Sequence, residues 1–175
     1  MTHNSALDGG GIHINTSATL NVTGGTISDN LAGSSGGGIA NYGTTLLTSV
    51  TVQNNRTTNF EGGGIATGIG DLTITGSRVL GNTAGSFGGG IANFGSTLRV
   101  KSTVVSGNIA TLNGGGLFNH AGAAQLIGDN VIGNTANGGQ GGGIFVDGGT
   151  VALTATTVSG NNPNNCVPAL SGRSV

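Results

Sequence analysis

The sequence predicts an all-β fold, a parallel β-helix (β-solenoid) of about six coils with three short strands in each coil. The first observation is a repeat of Gly-Gly-Gly followed by Ile or Leu, every 26 or 27 residues, which starts at Gly9, Gly36, Gly62, Gly88, Gly114 and Gly141. The second is an asparagine that recurs every 25 to 27 residues, at Asn30, Asn55, Asn82, Asn108, Asn134 and Asn161. The third is alternation of apolar and polar residues between these markers, which is typical of strands. Such a repeat, without insertions, indicates that one repeat forms one coil.

Three apolar columns are expected to run along the stack and form its core. The first column follows the glycines, as Ile12, Ile39, Ile65, Ile91, Leu117 and Ile144. The second lies eight residues before each asparagine, as Val22, Leu47, Ile74, Val100, Leu126 and Leu153. The third lies three residues before it, as Ile27, Val52, Val79, Val105, Val131 and Val158. One coil cannot bury such a face alone, but coils stacked about 4.8 Å apart bury it continuously.

The asparagines and the glycines have structural roles in this prediction. A buried asparagine column is stable when each side-chain amide donates to the asparagine of the next coil. The glycine triplets allow a backbone with positive φ and close packing of successive coils. We therefore interpret the asparagines as an internal ladder and not as ligand-binding residues.

The two ends differ from the repeats. Residues 1–161 are predicted to form the β-helix, and residues 162–175 an irregular tail that folds over the last coil. Residues 1–8 are too short for a capping helix, so the first coil should present an open strand edge. Open edges invite pairing with other chains. We expect this edge to pair with a second copy, giving a homo-oligomer, or to continue into further sequence.

Composition excludes several partners. Only 6% of the residues are charged and the net charge is −1, which predicts no nucleic-acid partner. No apolar run approaches the roughly 18 residues that cross a bilayer, so no membrane association is predicted. The single cysteine and the scattered histidines predict no metal site, and no cofactor is expected. No signal peptide is visible, which suggests a cytoplasmic protein, or an exported one if the chain is part of a longer protein.

The repeat resembles that of bacterial right-handed parallel β-helix proteins, the pectate-lyase-like group. The segments that carry the resemblance most clearly are Gly-Gly-Gly-Ile-Ala-Asn-Phe-Gly at 88–95 and Val-Ser-Gly-Asn-Ile-Ala at 105–110. The resemblance implies a right-handed coil, as does the general crossover rule. It implies no single function, because that group includes surface proteins, adhesin-like passengers and polysaccharide-active enzymes.

One outward column is a candidate active or binding site. Three residues after the glycine-flanking Ile or Leu, the coils carry Asn15, Tyr42, Gly68, Phe94, His120 and Asp147. His120 and Asp147 are therefore expected to be neighbours, and an aspartate can orient an imidazole for general acid–base catalysis. Phe118 and Phe145 in an adjacent column would add an aromatic patch suited to an apolar or sugar ligand. The structural alternative is a surface pair with aromatic rings stacked for stability.

Two other outward surfaces are candidates. A threonine-rich column, Thr23, Thr48, Thr75, Lys101, Ile127 and Thr154, resembles ice-binding faces but is interrupted. Arg99 and Lys101 could instead bind an anionic group, and Asp71 alone would not make a calcium site. Leu80, Val104 and Ile132 are expected to form an exposed aliphatic strip suited to self-association.

These observations predict a binding or assembly protein that contacts carbohydrate or another protein. The alternatives are a small carbohydrate- or metabolite-active enzyme using His120 and Asp147, and an ice-binding protein. Whether the chain is an enzyme stays open at this point.

Overall fold

The computed structural model describes residues 1–168, 170, 173 and 174, and its 26 strands form four parallel sheets. The strands are numbered along the chain, and the sheets are numbered in the order in which a coil passes through them. No helix in this part of the chain has the length and apolar character needed to cross a membrane.

Sheets 1 and 2 flank the glycine triplets. Sheet 1 consists of β1 (Ser5–Ala6), β5 (Leu31–Ala32), β9 (Arg56–Thr57), β13 (Thr83–Ala84), β17 (Ile109–Ala110) and β21 (Thr135–Ala136). Sheet 2 consists of β2 (Ile12–Ile14), β6 (Ile39–Asn41), β10 (Ile65–Thr67), β14 (Ile91–Phe94), β18 (Leu117–His120), β22 (Ile144–Asp147) and β25 (Cys166–Val167).

Sheets 3 and 4 complete each coil. Sheet 3 consists of β3 (Thr19–Thr23), β7 (Thr44–Thr48), β11 (Asp71–Thr75), β15 (Thr97–Lys101), β19 (Ala123–Ile127) and β23 (Thr150–Thr154). Sheet 4 consists of β4 (Thr26–Ser28), β8 (Thr51–Gln53), β12 (Arg78–Leu80), β16 (Val104–Ser106), β20 (Asn130–Ile132), β24 (Thr156–Ser159) and β26 (Arg173–Ser174).

The strand register confirms that one repeat forms one coil. Ile65 pairs with Ile39 on one side and with Ile91 on the other, so equivalent residues of neighbouring repeats are adjacent. The fold is the predicted parallel β-solenoid of about six coils. Each coil also contains a short sheet 1 strand that was not predicted, because two residues cannot show an alternating pattern.

The predicted apolar columns form the core. The glycine-flanking column is fully buried at Ile39, Ile65 and Ile144. The column before the asparagines is equally buried at Val79 and Val131. Burial of a side chain of this kind contributes about 1.5–3 kcal/mol, so the stack is stabilised chiefly by these columns.

The asparagines form a continuous internal ladder. Asn55 Nδ2 donates to Asn82 Oδ1 at 3.0 Å, and Asn82 Nδ2 donates in the same way to Asn108 Oδ1 at 3.0 Å. Each amide also serves the backbone: Asn82 Nδ2 donates to the carbonyl of Val52, and the backbone N–H of Asn55 donates to Asn82 Oδ1. A buried polar side chain satisfied in this way has its desolvation cost offset.

The glycine triplets are required by two different constraints. The first glycine of a triplet has positive φ, as at Gly62 with φ 67°, where other residues are strained. The third glycine meets the next coil, because a Cβ on Gly64 would lie 2.7 Å from the carbonyl oxygen of Gly90. Substitution at either position would therefore push neighbouring coils apart.

The last coil is covered by the tail, which takes a shorter path than a full coil. Cys166 in β25 pairs with Ile144 in sheet 2, and Arg173 in β26 pairs with Thr156 in sheet 4. Between these strands, Leu170 packs against the end of the core. None of the described residues of the tail pairs with β23, which is the terminal strand of sheet 3. Its sequence shows no alternation and did not predict the two short strands.

The predicted aliphatic strip on sheet 4 is not an exposed surface. Leu80, Val104 and Ile132 are each only partly exposed. Ser106 lies between Leu80 and Ile132 in the ladder, so the two aliphatic side chains are not adjacent. The prediction of an exposed strip there was wrong because polar residues of intervening coils interrupt the column.

Candidate functional site

The outward face of sheet 2 carries the candidate site, and the register places its residues as neighbours. Phe94 pairs with His120, and His120 pairs with Asp147, on β14, β18 and β22. Phe118 and Phe145 pair on the same two last strands. Alternation along a strand directs these positions outward, since the intervening residues point into the core.

His120 and Asp147 form a direct contact at the surface. His120 Nδ1 lies 2.9 Å from Asp147 Oδ2, and the side chains are 49% and 58% exposed, respectively. No other ion pair is found in the described part of the chain. A carboxylate on Nδ1 orients the ring and leaves Nε2 as the nitrogen that could exchange a proton with a ligand. Both side chains are therefore open to solvent.

Phe118 is the buried centre of an aromatic cluster. It is only 3% exposed, and the ring centroid of Phe145 lies 5.9 Å away with the two planes 6° apart. Phe94 lies 5.6 Å from it, and His120 lies 6.4 Å from it in a stacked orientation. Phe118 therefore packs beneath the other rings of the cluster. A ligand could contact the surrounding rings but not Phe118 itself.

One member of this cluster, Phe87, was not predicted from the sequence. Its ring stacks on Phe118 with centroids 4.7 Å apart, the shortest ring separation in the described structure. Phe87 precedes a glycine triplet, in a loop column with Asp8, Ser35, Glu61, Asn113 and Gln140. The constant interval identifies that column, but periodicity alone does not show that the loop turns back over sheet 2.

Tyr42 lies farther along the same face and borders a cavity. Its ring lies 5.4 Å from that of His13 in the preceding coil. In the next coil the column holds Gly68, and a cavity of about 110 Å³ opens there between Tyr42 and Phe94. The pKa of Tyr42 is raised, chiefly by burial and then by the negative charge of Asp8, while a hydrogen bond with Ser35 opposes the shift.

The predicted cationic pair lies apart from the aromatic residues. Arg99 and Lys101 project from β15 in sheet 3, whereas the rings belong to sheet 2. Arg99 Nη1 donates to Gln125 Oε1 at 2.7 Å in the next coil. Lys101 lies between Thr75 and Ile127 in the strand register, so a cation interrupts the threonine-rich column. The two sets of predicted ligand-binding residues therefore do not form one site.

The described residues contain no cluster of three or more His, Cys, Asp or Glu side chains that could hold a metal ion.

The chain forms a parallel β-solenoid. No family model, curated protein or solved structure matches it. The geometry of the side chains therefore provides the argument about function.

Proposed function

We propose that the protein binds carbohydrate along the outward face of sheet 2. The observation that carries this proposal is a band of rings from two neighbouring outward columns, here called the ring track: Tyr42, Phe94 and His120 in one column, and His13 and Phe145 in the other. Adjacent coils are about 4.8 Å apart, which is close to the length of one pyranose unit. A saccharide chain extended along the axis would therefore meet a ring in nearly every coil.

The chemistry of the ring track suits a sugar. Aromatic rings pack against the apolar C–H face of a pyranose, while polar side chains bind its hydroxyl edge. The ring of Phe94 lies 5.7 Å from that of His120, and His120 in turn contacts Asp147. Aromatic and hydrogen-bonding groups thus alternate within a few ångströms.

Calorimetric titration with a panel of hexasaccharides built from glucose or from N-acetylglucosamine tests this proposal. Wild-type protein should bind at least one of them, and Phe145→Ala should weaken that binding by about tenfold, because a stacked ring contributes about 0.5–1.5 kcal/mol beyond its buried area.

Ile127→Ala is the matched control, because Ile127 is also exposed but lies on sheet 3. It should leave the affinity unchanged. Melting curves of both variants would show whether removal of the Phe145 ring also loosens the aromatic cluster. Equal loss of affinity in the two variants, with equal melting temperatures, would contradict binding on the ring track.

The 2.9 Å contact between His120 and Asp147 supports a second candidate, acid–base cleavage of the bound saccharide. On this proposal His120 exchanges the proton and Asp147 orients it. Wild-type protein should then release reducing ends from a bound oligosaccharide. His120→Gln should lower that rate by about 10²–10⁴-fold, the usual contribution of general acid–base catalysis, with little change in affinity. A rate that is unchanged in His120→Gln would rule out this role.

A further inference from the structure

We propose that the cavity between Tyr42 and Phe94 binds the ammonium group of an amino sugar. This inference rests on the proposed carbohydrate binding and specifies the kind of sugar. The cavity interrupts the ring track at the third coil, where the outward positions are Ala66 and Gly68.

The cavity has aromatic walls because the third coil lacks large side chains. Tyr42 leans over this coil so closely that a Cβ on Gly68 would lie 2.9 Å from Tyr42 Cδ1. Phe94 closes the opposite side. A volume of about 110 Å³ is enough for an amino group and the carbon that bears it, with the rest of the sugar lying along the ring track.

A pair of carboxylates gives the cavity its charge. Glu61 lines it, and Glu61 Oε1 accepts a hydrogen bond of 2.9 Å from Ser35 Oγ. Asp8 lies on the other side of the same serine, where Asp8 Oδ1 accepts from the Ser35 backbone N–H at 3.1 Å. Neither carboxylate forms an ion pair with a Lys, Arg or His side chain in the described structure. Two negative charges therefore act on one small, partly enclosed space.

This combination discriminates among sugars by charge. A cation is attracted both to the faces of aromatic rings and to nearby carboxylates, and both attractions strengthen as water is excluded. A uronic acid would be repelled by Asp8 and Glu61. A neutral or N-acetylated sugar would pack on the rings but would gain nothing from the two negative charges. The raised pKa of Tyr42, to which both carboxylates contribute, is consistent with a negative potential at this point.

Calorimetry with a glucosamine hexasaccharide and its fully N-acetylated counterpart tests the inference, at a pH where the free amines are protonated. The glucosamine oligomer should bind at least tenfold more tightly, since hydrogen bonds between charged partners are stronger than those between neutral groups. Glu61→Gln should remove that preference and leave the affinity for the N-acetylated oligomer unchanged. Asp71→Asn is the matched control, because Asp71 is an exposed carboxylate on sheet 3, outside this cavity.

The outcomes separate this inference from the proposed function. Equal affinities for the two oligomers, both weakened by Phe145→Ala, would overturn the amino-sugar assignment and leave carbohydrate binding intact. A glucosamine preference that is lost in Glu61→Gln but insensitive to Phe145→Ala would support the cavity and contradict the ring track. Tighter binding of a lysine-containing peptide than of the glucosamine oligomer, also lost in Glu61→Gln, would assign the cavity to a protein amine and overturn the sugar assignment.

Discussion

Individual polar residues inside this solenoid are stable because each has a partner in the next coil. Besides the asparagines, a second ladder runs through the turn between sheets 3 and 4. There, the backbone N–H of Val50 donates to Ser77 Oγ, that of Ser77 to Thr103 Oγ1, and that of Thr103 to Asp129 Oδ1. Hydroxyl groups suit this position. Each accepts a hydrogen bond from a backbone N–H of the preceding coil and donates one to a backbone carbonyl of its own coil. Asp129 is the exception, a carboxylate at a site built for a hydroxyl.

The environment of Asp129 makes its charged form unfavourable. The residue is buried, and its Oδ2 has no hydrogen-bond partner. Burial raises the pKa of Asp129 from 3.8 to about 6, although hydrogen bonds from the backbone of Thr103 and Ile127 lower it in part. The folded protein therefore binds this proton more tightly than the unfolded chain does.

Stability should consequently decrease as the pH rises from about 4 to about 6, and then level off. The native state holds the proton over this interval and the unfolded chain does not, so the contribution of Asp129 is greatest below pH 4 and is lost above pH 6. The loss is on the order of 2–3 kcal/mol at about 1.4 kcal/mol for each pKa unit.

Asp129→Thr, which restores the hydroxyl of the neighbouring coils, should stabilise the protein at pH 7.5 and flatten this part of the profile. Urea unfolding across pH 3.5–8 measures both effects. Asp71→Asn serves as the control for an exposed carboxylate. Parallel profiles for wild-type protein and Asp129→Thr would show that the buried carboxylate is not the cause.

At the scale of strands, the sequence predicts neighbours well wherever a column repeats one residue type. The Ile, Val and Asn columns predict the register, and hence the contact of His120 with Asp147, because residues one repeat apart must meet in a solenoid. The outward positions of sheet 2 follow from alternation alone. These are consequences of backbone geometry and do not depend on side-chain packing.

Contacts between different elements were not predictable in this way. The stacking of Phe87 on Phe118 depends on how a loop turns over sheet 2, and the sequence interval does not specify that path. The cavity beside Tyr42 depends on the orientation of the Tyr42 ring. That orientation is possible because Gly68 has no side chain to occupy the same space. Burial of Phe118 likewise results from four surrounding rings, which come from the coil before it, the coil after it and its own coil.

For the whole molecule, the two ends are chemically unequal. The tail adds strands to the last coil in sheets 2 and 4, whereas β1, β2 and β3 of the first coil each have a neighbouring strand on one side only. The core is open there, as an apolar groove of about 330 Å³ lined by residues that include Ile12, Leu20 and Val22. The equivalent residues of the second coil, Ile39 and Leu47, are completely buried.

We expect this open edge to pair with a second copy of the chain. The edge strand β3 reads Thr-Leu-Asn-Val-Thr, which has nearly the same pattern in both directions. Antiparallel pairing of two such strands about Asn21 would place Leu20 against Val22 of the second copy and satisfy the edge backbone groups. Leu20→Lys should therefore shift the protein towards the monomer in sedimentation velocity experiments.

Ile127→Lys, a similar change at an exposed position of sheet 3, is the control and should leave the sedimentation coefficient unaltered. Wild-type protein that remains monomeric at high micromolar concentration would contradict the pairing. So would a dimer that is equally stable in Leu20→Lys.

Within the described part of the chain, the strands of each coil pair only with those of the coil before it and the coil after it. The number of coils can therefore change without altering the fold. Duplication of a 26-residue segment between two glycine triplets would insert a coil without disturbing the register on either side. A duplicated third coil would widen the gap between Tyr42 and Phe94, whereas a duplicated fourth coil would add a second copy of Phe94 to the ring track. On the proposed function, changes in copy number alone would therefore alter the length and ring spacing of the saccharide-binding surface, with no substitution at any existing position.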